Sequence, residues 1–151
     1  MKLLILAQNP KTEKNLTTPI RGTKSWTILA RWLKEAGIPE DAVELDNALL
    51  QVGSLTSIKA QITENTRRWN GMIIQYPVIL TLGNIATTAI IETRKAYFPN
   101  VIKWDHFFLP HPSGLNRKLN SKRAHDDAIG QLQAAYLRMK TLEQYESRIK
   151  I

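Results

Sequence analysis

Four short apolar runs, each too brief to be a helix and each followed by a stretch with helical periodicity, constrain this chain more than any other feature. Lys2–Ala7 is nearly continuous in apolar residues, the pattern of a strand covered on both faces of a sheet. Ala42–Leu45, Val78–Leu82 and His106–Leu109 read as three further strands. Between the first two, Trp26, Leu29, Trp32, Leu33 and Ala36 recur at three- and four-residue spacing, and Gly37 supplies a helix stop. Ser57 to Trp69 predicts a helix with Ile58, Ile62 and Trp69 inward, and another is expected from Asn84 to about Tyr97. Gly71–Tyr76 fits either an extended segment or the tail of the preceding helix, because Pro77 interrupts any continuous strand. Ser121 can cap a long final helix reaching about Ile149, with Asp126 and Asp127 near its positive end.

Strand and helix therefore alternate four times. That order predicts an α/β fold: a single three-layer α/β/α domain over residues 1–151, with a four-stranded parallel sheet between two helical layers. A length of 151 residues suits one such domain. Ligands in these folds bind beyond the carboxyl ends of the strands. Two loops occupy that position: Gln8-Asn9-Pro10 after the first strand, and Leu109 to Arg117 after the fourth.

Charge singles out the same two regions. Lys+Arg 21 against Asp+Glu 13 leaves a formal net charge of +8. Lys11, Lys14, Arg21 and Lys24 cluster around one acid, Glu13, and Arg94, Lys95, Lys103, Arg117, Lys118, Lys122 and Arg123 around another, Asp105. The rest of the chain is nearly balanced, so the excess suits a polyanion lying across both loops. The absence of cysteine excludes disulfides, thiolate catalysis, cysteine-ligated zinc and iron–sulfur clusters. Leu3–Ala7 is too short for the ~7–15-residue core of a signal peptide, and no run approaches the ~18 residues of a bilayer span. The expectation is a soluble, intracellular protein without membrane partners.

The two loops carry few chemically able groups. Asn9 precedes a proline, which pushes its backbone to an extended conformation. Its amide can orient a water but cannot deprotonate one; an isolated Asn-Pro is otherwise an Asx turn. His111 stands between two prolines that stiffen its loop, and it can donate a hydrogen bond to a developing anion. A lone histidine is otherwise a partly buried polar residue. Leu115, at the tip of a basic loop, can wedge between bases or fold back on the core. Gln8-Asn9-Pro10 has no glycine and is neither a P-loop nor a dinucleotide fingerprint. His106, His111 and His125 show no metal-ligand spacing with carboxylates, so no metal is expected. Trp26, Trp32 and Trp69 sit at helical spacing and read as core.

Taken in order, these segments resemble the uracil-DNA glycosylase superfamily. Leu4-Ile5-Leu6-Ala7-Gln8-Asn9-Pro10 is similar to that family's first motif, a strand running into Gly-x-Asn/Asp-Pro. Thr18-Pro-Ile-Arg-Gly22, followed by a helix ending at Trp32-Leu33 and Ala36-Gly37-Ile38, resembles its Pro-Phe-x-Gly segment. Pro77-Val-Ile-Leu-Thr-Leu-Gly83 resembles its third-strand signature, and His111-Pro-Ser-Gly-Leu-Asn116 its His-Pro-Ser-Pro-Leu-Ser motif. Asn9 has the form seen in the thymine-DNA and single-strand-selective branches.

The resemblance implies a DNA glycosylase that needs no cofactor and hydrolyses the N-glycosidic bond of a flipped-out uracil or other modified pyrimidine. Asn9 would position the attacking water and His111 would stabilise the departing base. Gln8, Pro10 and Ile20 would contact that base, as would Asn47, the nearest match to an asparagine on or just after the second strand, for which Asp46 competes. DNA would be held by Lys11, Lys14, Arg21, Lys24, Ser113, Asn116, Arg117, Lys118, Lys122 and Arg123, with Leu115 entering the duplex. The expected protein is monomeric and cytoplasmic, associated with the nucleoid when on DNA. Ala7 replaces the motif's leading glycine, and Ile20 replaces its base-stacking phenylalanine, which removes an aromatic platform. The alternatives are a DNA- or modified-base-binding protein that keeps the fold without cutting, and a flavodoxin-like small-molecule enzyme.

Overall fold

The computed structural model describes residues 1–101, 105–112 and 122–149. Its centre is β1 (Leu3–Ala7), buried along its whole length because strands flank it on both sides and helices cover both faces. Three more strands, β2 (Val43–Asn47), β3 (Val78–Leu82) and β4 (Asp105–Leu109), complete a parallel sheet in the order β2-β1-β3-β4. Parallel neighbours cannot be joined by tight turns, so each connection carries a helix: α1 (Lys24–Ala36), α2 (Ile58–Gln75) and α3 (Gly83–Tyr97), with α4 (Lys122–Ile149) following β4. The expected three-layer α/β/α arrangement is the one observed.

Alternation along the strands sorts the core into two sides. Leu3, Ile5, Leu80 and Leu82 face α1 and α4, where they pack with Leu29, Trp32, Leu33, Leu132 and Met139. Leu4, Leu6 and Ile79 face α2 and α3, against Ile62, Trp69, Ile73 and Ile90. The α1 helix begins where the Thr23 hydroxyl accepts from the Trp26 amide. It ends at Gly37, whose φ of +75° is readily adopted only without a side chain. Among the tryptophans, Trp32 and Trp69 are buried as expected, and Trp26 is half-buried under the Arg21 guanidinium at 4.4 Å.

Several boundaries differ from the sequence reading. The second strand is Val43–Asn47 rather than 42–45, because the ladder with β1 continues to the Ala7–Asn47 pair. The fourth starts one residue earlier, at Asp105, paired with Val78. The α2 helix runs on to Gln75, so Gly71–Tyr76 is mostly helical tail. Ile58, at the first position of α2, is 37% exposed rather than inward. The predicted cap Ser121 lies outside the described residues.

Trp69 shows how one side chain ties two layers. Its ring fills the α2 side of the core while Nε1 donates to the Ala48 carbonyl at 3.0 Å, so its one polar atom is satisfied. Trp69→Ala is expected to destabilise the fold by about 3–5 kcal/mol. Trp69→Phe, which removes the hydrogen bond and part of the buried ring system, should cost less, roughly 1–3 kcal/mol. Urea unfolding of the two variants measures the difference.

Candidate active site

The chain passes from β1 to β2 on one side and then crosses to β3 on the other, so the carboxyl ends of β1 and β3 form a topological switch point. A cleft of about 220 Å³ opens there, lined by Ala7, Asn9, Lys11, Asn15, Ile20 and His111 among others. Drug-sized ligand pockets run from about 300 to 1,000 Å³, so this one is suited to a single small ring. Asn9 and His111, about a hundred residues apart in sequence, line the same cleft.

Asn9 is held from outside its own turn. Its Nδ2 donates to the carbonyls of Gln51 and Gly53, both at 2.8 Å, and more weakly to Pro10 O at 3.3 Å. Oδ1 accepts from Gln8 Nε2 at 3.0 Å. Because the amide protons go to carbonyls, the orientation of the group is determined and its oxygen remains an acceptor. Backbone bonds reinforce the attachment: Ala48 N to Ala7 O, Leu49 N to Gln8 O and Gly53 N to Pro10 O. These long-range contacts are not those of a local Asx turn.

His111, half-buried and backed by Gly83, lines the same cleft. A Cβ at Gly83 would meet His111 Cβ at 3.2 Å, and Gly83 has φ +84°, so glycine here serves both backbone conformation and close approach. Burial pushes the His111 imidazole below its ordinary pKa, which favours the neutral ring. A neutral ring carries one N–H and can offer it as a donor.

Gly83 is itself fixed by a directed hydrogen-bond chain. Arg94 Nη1 can only donate, so His106 Nδ1 accepts at 3.0 Å and the neutral ring carries its proton on Nε2. Nε2 then donates to Thr81 Oγ1 at 2.9 Å, Thr81 to Thr87 Oγ1 at 2.7 Å, and Thr87 to Gly83 O at 2.8 Å. Desolvation, aided by the neighbouring Arg94 charge, lowers the His106 pKa to about 4.

The wall between Asn9 and His111 contains two residues whose conformations matter. Ile20, 7% exposed, has φ +60°. Arg21 N bonds Pro19 O across it at 2.8 Å, giving the rare positive-φ form of the γ-turn. A β-branched residue in this region is a genuine outlier, and such strain persists only where neighbours over-determine it. Asn15 is the neighbour that does so. Buried, it accepts from Thr12 N and Oγ1 and donates to the carbonyls of Thr18 and Arg21. No motif pointed to Asn15, although its spacing from Thr12 is that of a capping pair.

Other expected site residues are distributed as follows. Asn47 does not line the cleft. It is 1% exposed and donates through Nδ2 to the Asn15 carbonyl at 2.8 Å, one layer behind. Gln8 and Pro10 likewise support Asn9 rather than line the cleft. Lys11 is exposed and reaches the rim, with Lys14 and Lys24 exposed nearby. Arg21 is engaged with Glu40 at 3.5 Å as well as with Trp26. Lys122 and Arg123 are exposed on the first turn of α4. Ser113, Leu115, Asn116, Arg117 and Lys118 lie outside the described residues. Among the described residues no group of three His, Asp or Glu could hold a metal, and no helix is long and apolar enough to cross a membrane.

A doubly wound α/β protein with a small cleft at its switch point, walled by an oriented amide and a neutral imidazole, is the class that fold and site define. The family model of the uracil DNA glycosylase superfamily matches residues 1–133, and the chain belongs to that superfamily. No curated protein matches it.

The His106 environment predicts a specific pH response. The unfolded chain binds a proton at an ordinary pKa of 6.5 while the folded chain resists it down to about 4. The associated stability is therefore complete above that window and falls as pH drops through it. A shift of this size corresponds to roughly 3 kcal/mol. Denaturant unfolding across the window should show the decline, and His106→Gln should flatten it.

Proposed function

We propose that this chain hydrolyses the N-glycosidic bond of a single base flipped out of DNA, with a uracil or another modified pyrimidine as substrate. The observation that carries the reading is the shared cleft of Asn9 and His111, sized for one ring. Extrusion of the base costs a few kcal/mol and is cheapest for mismatched, damaged or unpaired bases.

In the reaction the C1′–N bond breaks and its electron pair leaves with the base, which becomes an anion beside an oxocarbenium-like sugar. The N–H of neutral His111 donates to the pyrimidine oxygen on which that charge collects, a stabilisation present mainly in the transition state. A water oriented by Asn9 Oδ1 forms the new C1′–O bond from the opposite face. Its proton passes to solvent or to the departed base, because an amide cannot accept it. Asn9 thus contributes position rather than basicity. Burial of His111 suits this role, since a ring that stays neutral releases the base anion without holding it as an ion pair.

Lys11, Lys14, Lys24, Lys122 and Arg123 are the described cations disposed to meet phosphates, and binding through them should weaken steeply with salt. Gln8, Pro10 and Asn47 act behind the contact surface, holding Asn9 and Asn15. Ile20 offers no ring for stacking, which favours bases already weakly held in the helix. The same substitution supports a second reading, a protein that binds a modified base without cutting.

Oligonucleotides carrying uracil, mismatched thymine, hypoxanthine or hydroxymethylated bases, cleaved with alkali after incubation, distinguish the two readings. Asn9→Ala is expected to reduce base release at least about 10²-fold, and His111→Ala by about 10²–10³-fold, with DNA affinity little changed. Full turnover in Asn9→Ala would end the mechanistic proposal. Binding without release across the whole panel would favour the non-cutting protein.

A further inference from the structure

The carboxyl end of β4 carries a feature that base hydrolysis does not use. Phe108 is 62% exposed on an edge strand, although a large exposed aromatic on a sheet edge invites unwanted pairing. It borders a groove of about 480 Å³ whose other lining groups include Asn84, Thr87, Pro110, Asp127 and Gln131. Gly83 lines the same groove and also backs His111, so groove and cleft lie on either side of one residue.

We infer that this groove is a second nucleobase subsite, in which Phe108 stacks a base neighbouring the flipped one while Asp127 and Gln131 read its edge. Three observations support this occupant. The ring is preorganised: His106 meets it edge-on, with centroids 6.2 Å apart and planes at 82°, and His106 is locked by Arg94 and Thr81. An aromatic face held in place is a stacking platform for any base. The polar rim matches a base edge, since the Asp127 carboxylate accepts from an exocyclic amine and the Asn84 and Gln131 amides both donate and accept. Charge is arranged accordingly. Asp127 repels a phosphate from the groove itself, whereas exposed Lys122 and Arg123, one turn earlier on α4, meet the backbone outside it.

The subsite rests on the reading that DNA is the substrate polymer, but not on hydrolysis. It gives the protein a sequence context: bases bearing an exocyclic amine, such as cytosine, are preferred next to the target. It also replaces, one nucleotide away, the aromatic contact that Ile20 removes from the main cleft.

Fluorescence anisotropy with single-stranded oligonucleotides tests this. Each carries a central tetrahydrofuran abasic analogue flanked by cytosine, by thymine, or by a second tetrahydrofuran that has no base. Wild type is expected to bind the cytosine flank roughly 5- to 150-fold more tightly than the baseless one. Phe108→Ala should abolish that preference and Phe108→Trp should keep it, while Asp127→Asn should narrow the gap between cytosine and thymine. Phe108 is exposed, so loss of folding does not confound these variants. Equal binding of all flanks by wild type, or a Phe108→Ala variant that discriminates as wild type does, overturns the subsite. Flank-dependent binding by a protein that releases no base overturns hydrolysis and leaves the subsite standing, and no DNA binding at all overturns both.

Discussion

The two protons of the Asn9 amide, one donated to Gln51 and one to Gly53, are the interaction on which the cleft depends. They join the loop after β1 to the loop after β2 and leave a single orientation for the side chain. Three backbone bonds alongside make the junction continuous with the sheet. An acceptor held this rigidly loses little freedom when it meets a water, which is how a weak group contributes to a reaction it cannot drive by proton transfer.

The opposing wall is built on different physics. His111 owes its position to a glycine that admits it, and that glycine is anchored by a chain of four hydrogen bonds running through a buried threonine and a neutral histidine. Each hydroxyl has one proton to give, so the direction of the chain is determined from the Arg94 end. Charging His106 would place two donors against each other and break the first link. A buried network of this kind rigidifies its surroundings, whereas a broken one is costly.

Much of the fold was legible because hydrophobic periodicity follows directly from which faces are covered. The all-buried run of β1, the Trp32 and Leu33 stripe of α1 and the Gly37 stop each reflect a local rule with one outcome. The boundaries that differed were those decided by neighbours. The extension of β2 to Asn47 comes from pairing with Ala7, and Ile58, at the first position of α2, stays 37% exposed. Asn9 and His111 stood out through proline-flanked loops at strand ends. Asn15 did not, since an asparagine in a polar loop looks alike whether it is solvated or bonded four ways.

Periodicity, glycine placement and the clustering of positive charge, all properties of residues and their spacing, determined the layered α/β architecture and drew attention to the two loops. The distribution of hydrogen bonds was decided only on folding. Whether Asn47 would face the cleft or brace Asn15, whether Ile20 would take a left-handed backbone, and whether Phe108 would be covered depend on groups brought together from distant parts of the chain. Burial and hydrogen bonding are set by what surrounds an atom in space, and for these side chains the surroundings come from other elements of the fold.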